Sequence, residues 1–106
     1  MGKLVVPSRF RVFGQLVTVT WRKDLYELHK CSGLWEPQGN RISLQIQEKD
    51  GLNDEQMYQI YWHEVVHCIL DKMDYEKLSK DERLVDGIAQ LLHQVLSTTE
   101  YGKVKK

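Results

Sequence analysis

The sequence predicts an α+β domain, in which a small antiparallel or mixed sheet packs on two main helices. In the first half of the chain, apolar and polar residues alternate as in half-buried strands, whereas in the second half apolar residues recur at helical spacing. The 106 residues are enough for one hydrophobic core. We therefore expect a single domain over residues 1–106, with a β-rich half at about 1–50 and a helical half at about 53–98.

Two segments of the first half have the period of two that is typical of strands with one buried face. The apolar positions are Val17, Val19 and Trp21 in the first segment and Ile42, Leu44 and Ile46 in the second. Between them, Pro37 and Gly39 stand at the spacing of a type I turn. The middle of the chain is therefore predicted to form a hairpin or meander.

The pattern changes to that of a helix after the segment EKDGLN. Asn53 can cap this helix and Gln56, three positions later, can reach back in a capping box, so we expect the helix to begin near Asp54. A helical wheel shows two occupied stripes. They consist of Trp62, Val66, Ile69 and Met73 in one and Ile60, His63, His67 and Leu70 in the other.

A second amphipathic helix is predicted after the polar stretch DKMDYEKLSKDE and should end near Ser97. Its broad apolar face consists of Leu84, Val85, Ile88, Leu91, Leu92, Val95 and Leu96.

The stretch YWHEVVHCIL contains the spacing HExxH within the first predicted helix. His63 and His67 lie one turn apart, so both rings project from one face and can offer a nitrogen to the same ion. Glu64 lies about 100° around the helix, too far to join the ligands but close to a water molecule beside the ion. This pattern predicts one zinc ion, with Glu64 as the general base of a hydrolytic reaction. The alternative, ordinary half-buried histidines, is less favoured because the motif lies on a stripe separate from the packing stripe.

A catalytic zinc site needs a third protein ligand. Glu82, Asp86 and His93 all lie along one border of the second helix. We expect Asp86 to be the ligand, because the neighbouring Gly87 would allow the two helices to approach closely. Glu82 is the alternative, in which case Asp86 would orient a histidine. His93 is expected to be a border histidine without a metal.

The segment HEVVHCIL followed by DERLVDGIAQLLHQVL resembles the zincin metallopeptidases, in particular the short ImmA/IrrE-like or phage-encoded domains, over roughly Ile42–Leu96. The resemblance implies a minimal zincin-like fold. It also implies that His63 and His67 are ligands, that Glu64 is the general base and that Asp86 is the carboxylate ligand. In the gluzincins this third ligand is a glutamate, so the shorter aspartate is a departure from their pattern.

By the same resemblance, the substrate is held as an added strand on the edge of the sheet, a role expected for the segment Arg41–Gln47. Its outward residues Arg41, Ser43 and Gln45 are polar, as an accessible edge should be. A donor that stabilises the oxyanion is also expected. The candidates are Tyr58, Tyr61, Tyr75 and Tyr101.

These features predict a zinc-dependent metallopeptidase that hydrolyses peptide bonds in a protein or peptide substrate. The alternative is a non-catalytic, zinc-containing module that binds a partner and regulates a phage or mobile-element protein. Glu64 favours the enzyme, because a structural zinc site needs no base and usually closes all four positions with protein ligands.

The charge balance excludes strong electrostatic attraction to polyanions. Fifteen Lys and Arg residues match 15 Asp and Glu residues, so no nucleic-acid or membrane partner is expected. The N-terminal segment lacks the long apolar run of a secretory signal. Cys31 and Cys68 have no CxxC spacing and are expected to be thiols, which favours a cytoplasmic location.

Overall fold

The computed structural model describes residues 5–102, and within them the chain forms one four-stranded sheet and four α-helices. The elements are β1 (Arg9–Val12), β2 (Gln15–Arg22), α1 (Leu25–His29), β3 (Gly33–Glu36), β4 (Arg41–Gln45), α2 (Asp54–Lys72), α3 (Glu76–Ser79) and α4 (Glu82–Thr98). The predicted α+β class, with a mixed sheet and two main helices, is confirmed. Within the described part of the chain, no helix combines the length and the apolar character that crossing a membrane requires.

The sheet has the strand order β1-β2-β4-β3. β2 and β4 are parallel, with Thr18 opposite Arg41, whereas the other two pairs are antiparallel. This order arises because the chain passes from β2 through α1 to β3, which lies two strand positions away from β2. The chain then returns through a hairpin into the position between them. β4 fills the interior position, and the strand at the edge of the sheet on this side is β3.

The expectation that Arg41–Gln47 forms an accessible edge is therefore wrong. The strand ends at Gln45 and is paired on both sides. Ser43 is fully buried, and its hydroxyl donates to Oε1 of Glu36 at 2.7 Å and lies 3.4 Å from Oγ1 of Thr20. Its polar character reflects these bonds across the sheet and not contact with solvent.

The turn between β3 and β4 confirms the predicted hairpin. Pro37–Gly39 forms one turn of 3₁₀-helix, followed by Asn40 in the left-handed region with φ of 46°. Asparagine tolerates this conformation better than most residues. Its Oδ1 also accepts a hydrogen bond from Nζ of Lys72 at 2.6 Å, which fastens the turn to the end of α2.

The start of α2 is also as predicted. The side chain of Asn53 accepts from the backbone N–H of Gln56 at 2.8 Å, and Oε1 of Gln56 accepts from the N–H of Asn53 at 2.9 Å. These two bonds satisfy donors that the first helical turn leaves unpaired.

α2 lies between the sheet and α4 and is buried on both sides. The core between α2 and the sheet consists of Val17, Val19, Trp35, Ile42, Leu44, Met57, Tyr61, Val65 and Cys68. The buried residues of α2 in this core thus belong to neither predicted stripe, although Ile60, Trp62 and Ile69 of those stripes also pack against it. Of the first predicted stripe, Val66 and Trp62 pack against α4, whereas Met73 is 48% exposed.

α4 begins after Asp81, whose side chain accepts from the N–H of Leu84 at 3.1 Å. Only Val85 and Ala89 of this helix are buried, because α2 covers one part of a wide apolar face. Much of the rest is exposed, namely Ile88, Leu91, Val95 and Leu96. The expected role of Gly87 in the contact between the helices is wrong, since a Cβ placed there would meet nothing within 4 Å.

Candidate metal centre

His63 and His67 project from α2 towards α4. Their Nε2 atoms lie 3.2 Å apart, and both side chains are largely covered, with 22% and 16% of their surface exposed. The one-turn spacing in the sequence therefore brings the two rings to one point.

Glu82, in the first turn of α4, completes this group. Its Oε2 lies 3.0 Å from Nε2 of His63 and its Oε1 lies 3.3 Å from Nε2 of His67. Among the described residues, these three side chains form the group of ligand atoms that lie within 4.8 Å of one another. Asp86 is not part of it, because its Oδ1 lies beside the other nitrogen of His63, 3.4 Å from Nδ1. The structure thus brings Glu82, and not the expected Asp86, to the pair of Nε2 atoms.

The second ring nitrogen of each histidine also has a partner. Nδ1 of His63 faces Asp86, and Nδ1 of His67 lies 2.9 Å from Oγ of Ser79, a buried residue at the end of α3. Such partners fix the tautomer and the orientation of a ligating imidazole. The sequence pattern did not predict Ser79, because α3 is a single short turn within a polar stretch.

The donor set fits a zinc ion. Two imidazole nitrogens and one carboxylate are a common set in catalytic zinc sites. Two ligands at about 2.1 Å from a tetrahedral ion lie about 3.4 Å apart, close to the separations of 3.0–3.3 Å found here. Burial and the neighbouring His63 lower the pKa of His67, which favours the neutral form that binds metals.

Glu64 lies next to Gly33 at the start of β3. It is 9% exposed, and burial raises the pKa of its carboxyl to about 7, with Glu82 acting in the same direction. His63 and a backbone hydrogen bond from Trp35 lower this pKa and partly offset the effect of burial. A carboxylate with a pKa near neutrality suits proton transfer in both directions.

Two clefts meet at Glu64. The larger has a volume of about 640 Å³ and runs past His67 along Leu34, Trp35 and Lys80. The smaller, of about 380 Å³, is lined by Gly33, Ile60, His63 and Asp86. His67 thus lines the larger cleft, His63 lines the smaller one, and the carboxylate of Glu64 lies between them. Of the residues that the structure describes, Glu64 alone lines both clefts.

The remaining candidates lie away from this point. Nε2 of His93 lies 2.9 Å from Oε1 of Glu55, and its ring stacks on Tyr58, as expected of a border histidine. None of the four candidate tyrosines lines either cleft. Tyr61 is buried against the sheet, the hydroxyl of Tyr58 accepts from the N–H of Val5, and Tyr75 and Tyr101 are exposed.

Comparison of the chain with models of known protein families, with curated proteins and with solved structures gives no match.

Proposed function

We propose that this protein is a zinc-dependent metallopeptidase of the zincin type that hydrolyses peptide bonds in a protein or peptide substrate. The observation that carries the proposal is the convergence of His63, His67 and Glu82 beside the buried carboxylate of Glu64, where two clefts meet. A structural zinc site would need no such base and would usually have a fourth protein ligand.

The free edge of β3 is suited to hold an extended substrate. The carbonyl of Ser32 accepts from the N–H of Gln45, so the backbone groups of Leu34 and Glu36 also point towards β4. Those of Gly33 and Trp35 therefore point away from the sheet, above Glu64. Because the N–H of Trp35 already donates to Glu64, a peptide added as a further strand would bond through its own backbone to the carbonyls of Gly33 and Trp35, whatever its sequence.

In the proposed reaction, the residues of the chain hold the reactants and move a proton. A zinc ion bound at this site would acidify a water molecule and polarise the scissile carbonyl. Glu64 accepts the proton of the attacking water and then donates it to the departing amine. Asp86 and Ser79 keep the rings of His63 and His67 in place.

A cytoplasmic location and the absence of nucleic-acid partners belong to the same proposal. Both cysteines carry free thiols, as is usual in a reducing compartment, and the formal net charge is zero.

The proposal is tested with Glu64→Gln. This variant should keep the fold and the metal, because Glu64 is not a ligand and the amide has nearly the same shape. Its rate of peptide cleavage should fall at least about a hundredfold, since a positioned proton acceptor typically contributes 10²–10⁴-fold. The measurement combines metal analysis with cleavage of a library of fluorogenic peptides by the zinc-loaded proteins.

The matched control is Glu76→Gln, which changes an exposed carboxylate in the larger cleft and should leave cleavage nearly unchanged. Equal cleavage by the parent and Glu64→Gln would rule out the mechanism. A zinc-loaded parent that binds a partner protein but cleaves neither that partner nor the library would instead support the non-catalytic module.

A further inference from the structure

We infer that Gly33 is a positioning residue of the proposed peptidase, because only a residue without a side chain lets the edge strand β3 lie directly on Glu64. This inference rests on the proposed function and adds to it a residue outside the metal-binding motif. Gly33 is the first residue of β3, and its backbone groups belong to the free edge above the base.

The space beside Gly33 is already filled by α2. A Cβ placed on Gly33 would lie 2.5 Å from Cγ2 of Ile60, a separation that real Cβ atoms essentially never show. It would also lie 3.2 Å from Cγ and 3.4 Å from Oε2 of Glu64. The absence of a side chain at Gly33 therefore leaves space for Glu64, the proposed base, and for Ile60, one helical turn before it.

The requirement for glycine is one of space and not of backbone conformation. Gly33 has the backbone conformation of an ordinary strand. Gly14, by contrast, lies in the left-handed region, with φ of 76°. Alanine could adopt the backbone of Gly33 without strain, so a substitution there acts through the contacts of one methyl group.

The strand has little freedom to move away from this contact. Two residues further along β3, Nε1 of Trp35 donates to Oδ2 of Asp71 at 2.8 Å, and the Trp35 ring is buried in the core. On its inner side β3 is paired with β4. Added bulk at Gly33 must therefore displace the start of the strand relative to α2 or shift the side chains of Ile60 and Glu64.

To bring the 2.5 Å separation from Ile60 into the ordinary contact range of 3.4–4 Å, the start of β3 must move by about 1 Å relative to α2. In the proposed reaction β3 holds the substrate and α2 carries Glu64, so a misplacement of this size between them can lower the rate about a hundredfold. The zinc ligands face α4 on another side of α2, so metal binding should be preserved.

The experiment compares Gly33→Ala, Gly87→Ala and the double variant Gly33→Ala/Ile60→Ala in the full chain. We expect Gly33→Ala to keep one zinc ion per chain and to lose about a hundredfold in kcat/KM for the peptide that the parent cleaves best. Gly87→Ala, where a Cβ meets nothing within 4 Å, should cleave like the parent. The double variant removes the 2.5 Å overlap and should recover at least about tenfold of the loss.

A second readout does not depend on activity. In NMR spectra, the backbone amide of Trp35 and the side-chain carboxyl of Glu64 should shift in Gly33→Ala and return towards the parent values in the double variant. If Gly33→Ala does not fold, the double variant is compared with Ile60→Ala alone. The 3.2 Å contact with Glu64 remains there, so the two resonances should still differ.

Unchanged resonances, or full cleavage by a folded Gly33→Ala protein, would overturn the inference. Loss of zinc in Gly33→Ala would do so too, since it would show a general structural role. If the parent itself cleaves nothing, the proposed function fails, and the NMR comparison alone decides whether Gly33 positions Glu64.

Discussion

Glu82 and Asp86 reach different ring nitrogens, which favours one of them as the third ligand of the proposed zinc ion. Glu82 contacts the Nε2 atoms of both histidines, whereas Asp86 faces Nδ1 of His63. Glu82 is therefore the proposed third ligand, and Asp86 orients the ring. Asp86→Asn should weaken zinc binding by about 10–100-fold, and Glu82→Gln should weaken it further because it removes a ligand.

This prediction is checked by titrating each zinc-free variant against a chelating dye of known affinity. Glu76→Gln, with an exposed carboxylate in the larger cleft, should bind zinc like the parent. The assignment would have to be exchanged if Asp86→Asn proved the weaker zinc binder of the two.

The convergence of His63 and His67 next to Glu64 could be predicted from the sequence because it depends on one helix only. The carboxylate that meets the two Nε2 atoms could not be predicted in the same way. It depends on how α4 is rotated about its axis relative to α2, and the wide apolar face of α4 is compatible with several rotations. Ser79 was missed for a related reason, since its position depends on the turn that joins the two helices.

At the scale of single elements, the capping box of α2 connects the local sequence to the stability of the helix that carries the site. Asn53→Ala removes the acceptor for the N–H of Gln56. We expect the free energy of unfolding to fall by about 1 kcal/mol. Urea denaturation should show a lower midpoint with an unchanged slope.

The control for this prediction is Gln59→Ala, an exposed position within the same helix. It should change the free energy of unfolding by no more than about 0.5 kcal/mol. A loss in Asn53→Ala no larger than that in the control would show that the cap contributes little.

β2, β4 and the two long helices could be predicted because their signals are local, namely alternation in the two strands and a cap before α2. The order of the strands could not. The short helix α1 carries the chain past the position that β4 later fills, and five residues give too little periodicity to be recognised. The segment expected at the sheet edge therefore became interior, and β3 took the edge above Glu64.

At the scale of the whole molecule, the site depends on the position of α2 between two layers. α4 supplies Glu82 on one side, and the sheet supplies the edge strand β3 on the other. The proposed base and the proposed ligands are therefore held by different contacts. This division explains why substitutions at Gly33 and at Glu82 should affect different properties, cleavage in the first case and metal binding in the second.

The core between α2 and the sheet also contains two groups that are neutral when buried. Burial raises the pKa of Cys68 from 9.0 to about 11 and that of Tyr61 from 10.0 to about 12. The Cys68 thiol and the Tyr61 hydroxyl lose their protons at lower pH in the unfolded chain than in the folded one. Their contribution to stability is therefore complete below about pH 9 and is lost as the pH rises through the pKa values of the folded protein. We expect the denaturant concentration at the midpoint of unfolding to decrease as the pH is raised from 9 to 11.

Cys68→Ala tests the origin of this fall, with unfolding measured in reducing buffer that contains a chelator. The variant should be less stable than the parent at pH 8, because it leaves a cavity in the core. Between pH 9 and pH 11, however, its stability should fall less steeply, since the Cys68 thiol no longer contributes. Parallel curves for the two proteins over this range would show that the alkaline loss comes from other groups and that the thiol does not titrate differently in the folded and unfolded chains.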